Sequence, residues 1–484
     1  MTSLSAAWNG GRSRESSRLT TLLALALALR LLFLFLAGVD APLSGDELAY
    51  QQIAAHVAEG HGFWQDNNPF FPYQVLYAWQ APLYPLSLAI IYLVFGQHLL
   101  LAKLFGILIS TATVYLTYDV AARLFEDWRA AFASGLLLAI YPGFLTSAHL
   151  LLSETLFSFC VMLTFDVVLR SVARPLRVSG GFVYVGFLAA AGVAWGLATL
   201  TRGAALYFAP LFALWIGWVV HRTPGGGIQR GVAAGLVFIA GTAVVIAPWT
   251  MRNATVFHRF VLLETKGGVN FWFGNSPDTP RQFIRNVWKV GVREPMLGAL
   301  PRDEVERDRA AYRLGLAYVA REPWVFIARM PVKFADFWGF ERNLSDVAES
   351  TGPGRGWRVP SKLAADSLSA LVYVAVTIAA IFGFTLGPDA GRGESGPPWK
   401  LLLGGFVVYF CVSHLVVFGD GRFHLPLIPV LALYGGWFVA NLRRATYTAA
   451  AVAAGASGVV VLAAILLHEG LAAWETLRRA TTPL

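Results

Sequence analysis

Long apolar stretches separated by short polar ones dominate the hydrophobic pattern of this chain. The first stretch, residues 19–39, has the roughly 20 residues that cross a bilayer and is too long for the core of a signal peptide. The whole pattern predicts an all-α polytopic membrane protein with about 11 transmembrane helices. The predicted spans cover residues 19–39, 99–122, 130–149, 151–169, 181–200, 204–220, 231–249, 367–386, 400–418, 423–440 and 447–467.

Two long polar segments, residues 40–98 and 250–365, interrupt the apolar pattern. In the first, PLYPLSLAIIYLVFG (82–96) is apolar but too short to span, which predicts a helix at the membrane interface. The second segment has helical apolar spacing over 303–338, which predicts one or two amphipathic helices. The predicted organisation is therefore a tail (1–18), a transmembrane core (19–249) that includes the loop 40–98, a long loop (250–365), further spans (366–467) and a short tail (468–484).

The distribution of arginine predicts the orientation of the chain. Arg12, Arg14 and Arg18 precede the first span, and most short basic loops follow even-numbered spans, which predicts a cytoplasmic N-terminus and two long outer segments. With 56% hydrophobic and only 14% charged residues, the composition excludes a soluble protein. Loop topology accounts for the net charge of +9, so no nucleic-acid partner is predicted. Both cysteines fall in apolar spans, which predicts neither a disulfide framework nor a zinc site.

Several charged residues on the predicted outer face stand out from this topology. Arginine is unusual in short outer loops, and ionisable residues at a span are usually partnered or functional. Outliers of both signs on one face predict a site for an anionic ligand with an acid or base beside it. The outliers are Asp46, Glu47, Glu154, Arg202, Arg252 and Arg422.

Each outlier also has a purely structural interpretation. Ser44 and Glu47 fit a helix-capping box, Glu154 can cap a helix beside Ser153, and any single arginine can reach lipid headgroups with its side chain. Capping by Glu47 does not exclude catalysis by Asp46. The convergence of several charged groups at one depth favours a functional site over these separate interpretations.

One reaction that would use this set of groups is the transfer of a sugar from a lipid phosphate. When a lipid carries a sugar through a phosphate, an acceptor hydroxyl attacks the anomeric carbon, and a carboxylate takes the hydroxyl proton as general base. Arginine or lysine stabilises the departing lipid phosphate. Such a direct displacement inverts the anomeric carbon. The sequence has no GxxxxGK[ST] phosphate loop, which argues against an ATP-driven pump.

The stretch SGDELAYQQIAAHVAEGHGF (44–63) resembles the first outer-loop motif of GT-C glycosyltransferases that use polyprenyl-phosphate sugars. This group contains the family 39 protein O-mannosyltransferases, the lipid A aminoarabinose transferase and the rhizobial lipopolysaccharide core transferases. Further stretches resemble motifs of the group in the same order, and together they extend over about residues 44–436. They are APLYPLSLAIIYLVFG, LLSETLFSF, LTRGAALYFAP, RNATVFHRFVLLETKGGVNFWFGNSP and GRFHLPLIPVLALYGG.

The resemblance implies roles for individual residues. Asp46 matches the acid that is catalytic or orients the substrate, and Glu154 matches a second acid. The implied substrate-binding residues are Glu47, Tyr84, Arg202, Arg252, Lys266 and Arg422, with Gly268 as a further candidate. The chain departs from the group's pattern where Gln80 stands in place of a phosphate-binding Lys or Arg, and where Phe423 replaces a Tyr.

The implied partners are a polyprenyl-phosphate sugar donor, a glycan, lipid or protein acceptor, and membrane lipids. Only 17 residues follow the last predicted span (468–484), so a glycan or lipid acceptor is expected over a protein. No cofactor is certain, because some GT-C enzymes hold a divalent metal ion and others work without one. The composition favours a bacterial plasma (inner) membrane, with the active site on the extracytoplasmic face. The alternative function, a flippase or transporter for the same lipid, is disfavoured by the lack of an internal repeat and by the asymmetric loops.

Overall fold

The computed structural model of the chain describes residues 2–40, 42–172, 180–280, 295–298, 300–341, 362–389, 397–443 and 447–481. Within these ranges the chain is almost entirely helical and contains no strand, only an isolated antiparallel bridge between Gln65 and Leu76. The predicted all-α polytopic class is therefore confirmed.

The helices are numbered here in chain order within the described ranges. They are α1 (Thr2–Ala37), α2 (Asp46–Ala58), α3 (Leu83–Phe95), α4 (Leu99–Phe125), α5 (Trp128–Ala139), α6 (Pro142–His149), α7 (Ser153–Val172), α8 (Gly180–Thr201), α9 (Ala209–Arg222), α10 (Ile228–Phe257), α11 (Gly267–Gly274), α12 (Glu304–Arg321), α13 (Pro323–Phe337), α14 (Lys362–Leu386), α15 (Trp399–Val416), α16 (Ile428–Asn441) and α17 (Ala449–Thr481). Two 3₁₀ turns, Gly203–Phe208 and Gly421–Leu427, precede α9 and α16.

The number of membrane-crossing helices is slightly lower than the eleven expected. Over the described residues, nine helices are long and apolar enough to cross a bilayer, or ten if the bent pair α5–α6 is one span. The expected third span is broken by a bend of 56° between α5 and α6. The expected fourth span, α7, is not among the nine and carries Glu154, Asp166 and Arg170. The short apolar helix predicted at 82–96 is present as α3.

Small residues bring the helices of the bundle close together. Helix α8 packs against α7 and α10, and α16 packs against α5 and α14. At the α5–α16 contact, a Cβ atom on Gly436 would overlap the backbone of Ser134, whose hydroxyl donates to the Leu433 carbonyl at 3.1 Å. Such close approach is typical of helix pairs in membranes. There, helix association depends on van der Waals packing and hydrogen bonds, because the hydrophobic effect does not favour protein over lipid.

The first long polar segment is fixed to the second by hydrogen bonds. The buried Glu304 carboxylate, at the start of α12, accepts from the backbone N–H groups of Tyr77 at 2.7 Å and Ala78 at 3.1 Å. The Thr265 N–H donates to the Ala78 carbonyl at 2.9 Å. These contacts hold the chain just before Gln80, which lines the cavity described below.

Candidate active site

A cavity of about 1190 Å³ contains most of the charged residues singled out from the sequence. Its walls come from the loop after α1, the first turns of α2 and α7, both 3₁₀ turns and residues 260–270. The sequence-predicted residues that line it are Asp46, Glu47, Glu154, Arg202, Lys266 and Arg422.

Asp46 is the first residue of α2 and follows Gly45, whose φ of 52° lies in the left-handed region that favours glycine. One oxygen of Asp46, Oδ2, accepts from Arg422 Nη2 at 2.7 Å. The other, Oδ1, accepts from Gln80 Nε2 at 3.3 Å. Burial raises the pKa of Asp46, but the charges of Arg422 and Lys266 and the two hydrogen bonds outweigh burial and hold that pKa below its ordinary value. Asp46 is therefore a carboxylate at neutral pH.

Glu154 joins the two arginines of the cavity. Its Oε1 lies 2.9 Å from Arg202 Nη1 and 3.9 Å from Arg422 Nε. Glu154 is buried, with 3% of its surface exposed. A buried carboxylate needs oppositely charged partners, and the two guanidinium groups provide them. The ring of Phe423, which replaces the expected Tyr, lies 5.6 Å from the Arg202 guanidinium and 5.4 Å from that of Arg422. At these distances the ring stabilises both guanidinium groups through cation–π interactions.

The two arginines lie where helices are interrupted. Arg202 is the N-terminal flanking residue of the turn Gly203–Phe208, directly after α8. Arg422 is in the turn Gly421–Leu427, where the Asp420 side chain accepts from the Arg422 N–H at 3.1 Å. These interruptions allow both guanidinium groups to reach the cavity at the ends of apolar helices.

Lys266 reaches Asp46 through Gln80. The Lys266 ammonium donates to Gln80 Oε1 at 3.0 Å and lies 3.5 Å from Glu264 Oε2. A continuous row of polar groups thus runs along the cavity wall. In order, the row is Glu264, Lys266, Gln80, Asp46, Arg422, Glu154 and Arg202.

Glu47 points away from this row and supports the local backbone. Its Oε1 accepts from the Leu151 N–H at 2.9 Å, and its Oε2 accepts from the Ser44 N–H at 3.2 Å. The bond from the Ser44 N–H to Glu47 is one of the two hydrogen bonds of the predicted capping box. The N-terminal cap of α2 is Gly45 instead of Ser44, and no side chain caps the helix. Burial raises the pKa of Glu47, although its backbone hydrogen bonds lower it.

Three of the residues predicted for the site do not line the cavity. Arg252, on the last turns of α10, donates to the carbonyls of Tyr77 at 2.8 Å and Phe63 at 2.7 Å, so its guanidinium holds the first polar segment. Tyr84, on α3, is buried and makes an edge contact with the ring of Tyr50 at 5.0 Å. Gly268 is also outside the cavity lining, and its N–H donates to Asp308 at 2.6 Å.

Comparisons of the chain with known protein families, sequences and solved structures indicate its fold. No protein-family model and no curated protein sequence matches the chain. The oligosaccharyltransferase of Archaeoglobus fulgidus in its apo form is similar, with 17% identity and a TM-score of 0.55 over 95% of this chain. The same enzyme tethered to an acceptor peptide containing the NVT sequon gives 16% identity and a TM-score of 0.54, covering 95% of this chain and 54% of that one. The chain has the GT-C fold.

This GT-C chain covers 55% of the length of the apo archaeal enzyme. ArnT from Cupriavidus metallidurans bound to undecaprenyl phosphate is also similar, with 17% identity and a TM-score of 0.38, covering 87% of this chain and 77% of ArnT. The similarity to the archaeal enzyme confirms the fold implied by the sequence motifs, and the nine long apolar helices of the described residues make the chain a multi-pass membrane protein.

The carboxylates of this GT-C chain do not form a ready metal site. Across the described ranges, no group of three or more His, Cys, Asp or Glu side chains is placed to hold a metal ion. Asp46 and Glu154, the two acids of the row, each face a guanidinium group. In the part of the chain that the structure describes, these two carboxylates therefore do not form a donor set for a divalent ion.

Other residues of the cavity were not singled out from the sequence. Glu264 comes two residues before Lys266, and Asp308 and Tyr312 lie one turn apart on α12. The spacing of Asp308 and Tyr312 was a usable signal, because residues four apart share a helix face. Burial, the largest effect, raises the pKa of Asp308 to about 6. His414, at the end of α15, also lines the cavity.

Proposed function

We propose that this protein transfers a sugar from a polyprenyl-phosphate donor to an acceptor hydroxyl, at the outer face of a bacterial plasma membrane. The observation that carries the proposal is the ion pair of Asp46 and Arg422 at 2.7 Å in a cavity of about 1190 Å³. A carboxylate and a guanidinium group this close together support the proposal, because the reaction needs a base and a phosphate-binding cation at one sugar–phosphate bond. The GT-C fold supports the same reaction class.

Asp46 is the general base in this proposal. The acceptor oxygen attacks the anomeric carbon while its proton passes to the Asp46 carboxylate. The bond between the anomeric carbon and the phosphate oxygen breaks, and its electron pair stays on the phosphate. Attack on the face opposite the leaving phosphate inverts the anomeric configuration.

Arg422 and Arg202 bind the donor phosphate, with Lys266 as a third cation. A guanidinium group matches a phosphate with paired N–H donors and remains charged while the leaving group gains charge. Glu154 keeps the two guanidinium groups together through the contacts of 2.9 Å and 3.9 Å, and so sets the position of the phosphate.

The remaining predicted residues support the site through their contacts with the backbone and with neighbouring side chains. Glu47 fixes the start of α2 through Leu151, and thereby the position of Asp46. Arg252 and Tyr84 hold the first polar segment and the base of α2 through the contacts described above. The acceptor is a glycan or lipid hydroxyl that enters the cavity from the outer side.

The test uses the purified protein in lipid nanodiscs. A panel of polyprenyl-phosphate sugars is offered with mixed cell-envelope glycans and lipids, and the release of free polyprenyl phosphate is followed. We expect release from one donor class, with the sugar recovered on an acceptor in inverted configuration. If no donor releases polyprenyl phosphate, while a labelled donor lipid exchanges between the leaflets of liposomes that contain the protein, a flippase replaces this proposal.

A further inference from the structure

Gln80 lies between the proposed base Asp46 and Lys266, and each end of its side-chain amide has a hydrogen-bond partner. Its side chain is buried, with 2% of the residue exposed. The Lys266 ammonium donates to Gln80 Oε1 at 3.0 Å, and Gln80 Nε2 donates to Asp46 Oδ1 at 3.3 Å. Both the oxygen and the nitrogen of the amide therefore take part in the row of polar groups.

Chemistry fixes the orientation of this amide. A lysine ammonium group has donors only, so it requires the amide oxygen, and the amide nitrogen is then left for Asp46. A carboxylate has acceptors only, which favours the same orientation. The two oxygens of Asp46 thus have different partners, with the neutral amide at Oδ1 and Arg422 at Oδ2, 2.7 Å away.

Resting on the function proposed above, we infer that Gln80 is a positioning residue that holds Oδ1 of Asp46 in place, so that Oδ2 becomes the proton-accepting atom once the donor phosphate takes Arg422. A phosphate oxygen that binds Arg422 Nη2 removes the partner of Oδ2. The acceptor hydroxyl then donates to Oδ2, and its proton remains there when the acceptor oxygen bonds to the anomeric carbon and the sugar–phosphate bond breaks.

The neutral amide of Gln80 suits the positioning of Asp46 better than a cationic side chain would. Two cations on one carboxylate would stabilise its charged form further and make it a weaker base. The amide orients the carboxylate by a hydrogen bond, while the charge of Lys266 stays one side chain away.

The experiment compares two substitutions of Gln80 in the full-length protein in nanodiscs. Gln80→Met keeps the side-chain length but removes the hydrogen bond to Asp46, and Gln80→Glu places a second carboxylate beside it. For Gln80→Met we expect kcat to fall roughly tenfold, the effect of one hydrogen bond to a charged group. The donor KM should change less than kcat, because Lys266 loses its contact with Gln80 but keeps its charge and its contact with Glu264. The control is Gln97→Met, because Gln97 is exposed and bonds to Glu59, far from the row.

The pH profile separates positioning from a merely structural role. The base must be deprotonated, and the lost hydrogen bond had favoured its charged form, so the acid limb of kcat/KM should move to higher pH in Gln80→Met and further in Gln80→Glu. Lower kcat with an unmoved acid limb, or full activity in Gln80→Met, would overturn the inference.

A second measurement needs no donor and no turnover. Carbodiimide labelling of Asp46, quantified by mass spectrometry of the peptide over a pH series, reports the protonation of this carboxyl group. We expect the labelling midpoint to move to higher pH in Gln80→Met, and an unchanged midpoint contradicts the link between Gln80 and Asp46. A shifted midpoint in a protein that releases no polyprenyl phosphate would leave this link standing while the proposed function fails.

Discussion

Asp46 meets two demands that oppose each other. A general base must be ionised before the acceptor arrives, and it must also be free to accept the acceptor's hydrogen bond. Arg422 satisfies the first demand, because its charge and hydrogen bond lower the pKa of Asp46 despite burial. In the proposed reaction, the second demand is met at Oδ2 when the donor phosphate takes the guanidinium group of Arg422. We therefore propose that the binding of phosphate and the release of the base are coupled through the ion pair of Asp46 and Arg422.

Arg422→Gln tests the role of the guanidinium group in donor binding. We expect the affinity for the polyprenyl-phosphate donor to fall about 10-fold to 100-fold, because a hydrogen bond to a charged group contributes about 1.5–3 kcal/mol. The measurement is a binding titration in nanodiscs. Arg443→Gln serves as the control, since Arg443 is exposed beyond the end of α16. Equal donor affinity in wild type and Arg422→Gln would remove Arg422 from the site.

Asp308 gives a pH-dependent contribution to stability. Its folded-state pKa, raised chiefly by burial to about 6, exceeds the value of about 3.9 for an unfolded aspartate. The folded protein therefore holds this proton more tightly, and the corresponding stability is present at low pH and lost as pH rises through about 4 to 6. We expect Tm of the wild type to fall relative to Asp308→Asn as pH rises from about 4 to 6, and the difference to level off above that range. Parallel Tm curves would contradict this prediction.

The site was predictable from the sequence only in part. Asp46 and Arg422 stand out because charges at the ends of apolar spans are rare. Arg252 has the same sequence signal, yet its guanidinium binds backbone carbonyls outside the cavity. Gln80 carries no charge, so only three-dimensional contacts reveal its place between Lys266 and Asp46. Sequence shows which groups are unusual, whereas their partners depend on the packing of distant segments.

At the scale of elements, hydrophobic pattern predicted the spans better than their interruptions. The apolar stretches at 99–122 and 400–418 correspond to α4 and α15. The bend between α5 and α6 escaped prediction, although Pro142 at the start of α6 marks the break. The same limitation applies to α10, which continues to Phe257 instead of ending at 249. The apolar pattern indicates which residues face lipid or the protein core. It does not indicate where a helix bends or how far it continues beyond the apolar stretch.

The contact between α5 and α16 yields a stability prediction. A methyl group on Gly436 would overlap Ser134 on the facing helix, so Gly436→Ala should destabilise the protein by about 1–3 kcal/mol, as overpacking does. The check is thermal unfolding in detergent. Gly405→Ala on α15 is the matched control, because nothing lies within 4 Å of a Cβ atom there, and it should leave Tm unchanged or higher. Equal Tm shifts in both variants would refute the close contact.

At the scale of the whole molecule, the cavity depends on segments far apart in sequence. Asp46 follows the first predicted span, Lys266 belongs to the second polar segment, and Arg422 precedes α16. Hydrogen bonds from Tyr77 and Ala78 to Glu304 join the two polar segments and hold one wall. In the proposed function, this arrangement of distant segments is what lets a lipid-borne phosphate and an acceptor meet at Asp46.

The central claim is that Asp46 accepts the acceptor's proton, and its most direct test is Asp46→Asn beside the wild type in nanodiscs. Donor binding and the release of polyprenyl phosphate are measured on the same preparations, with equal Tm as the check on folding. We predict that Asp46→Asn binds the donor but loses at least about 100-fold in release, the size of a general-base contribution. Wild-type release rates in a folded Asp46→Asn protein would contradict the account.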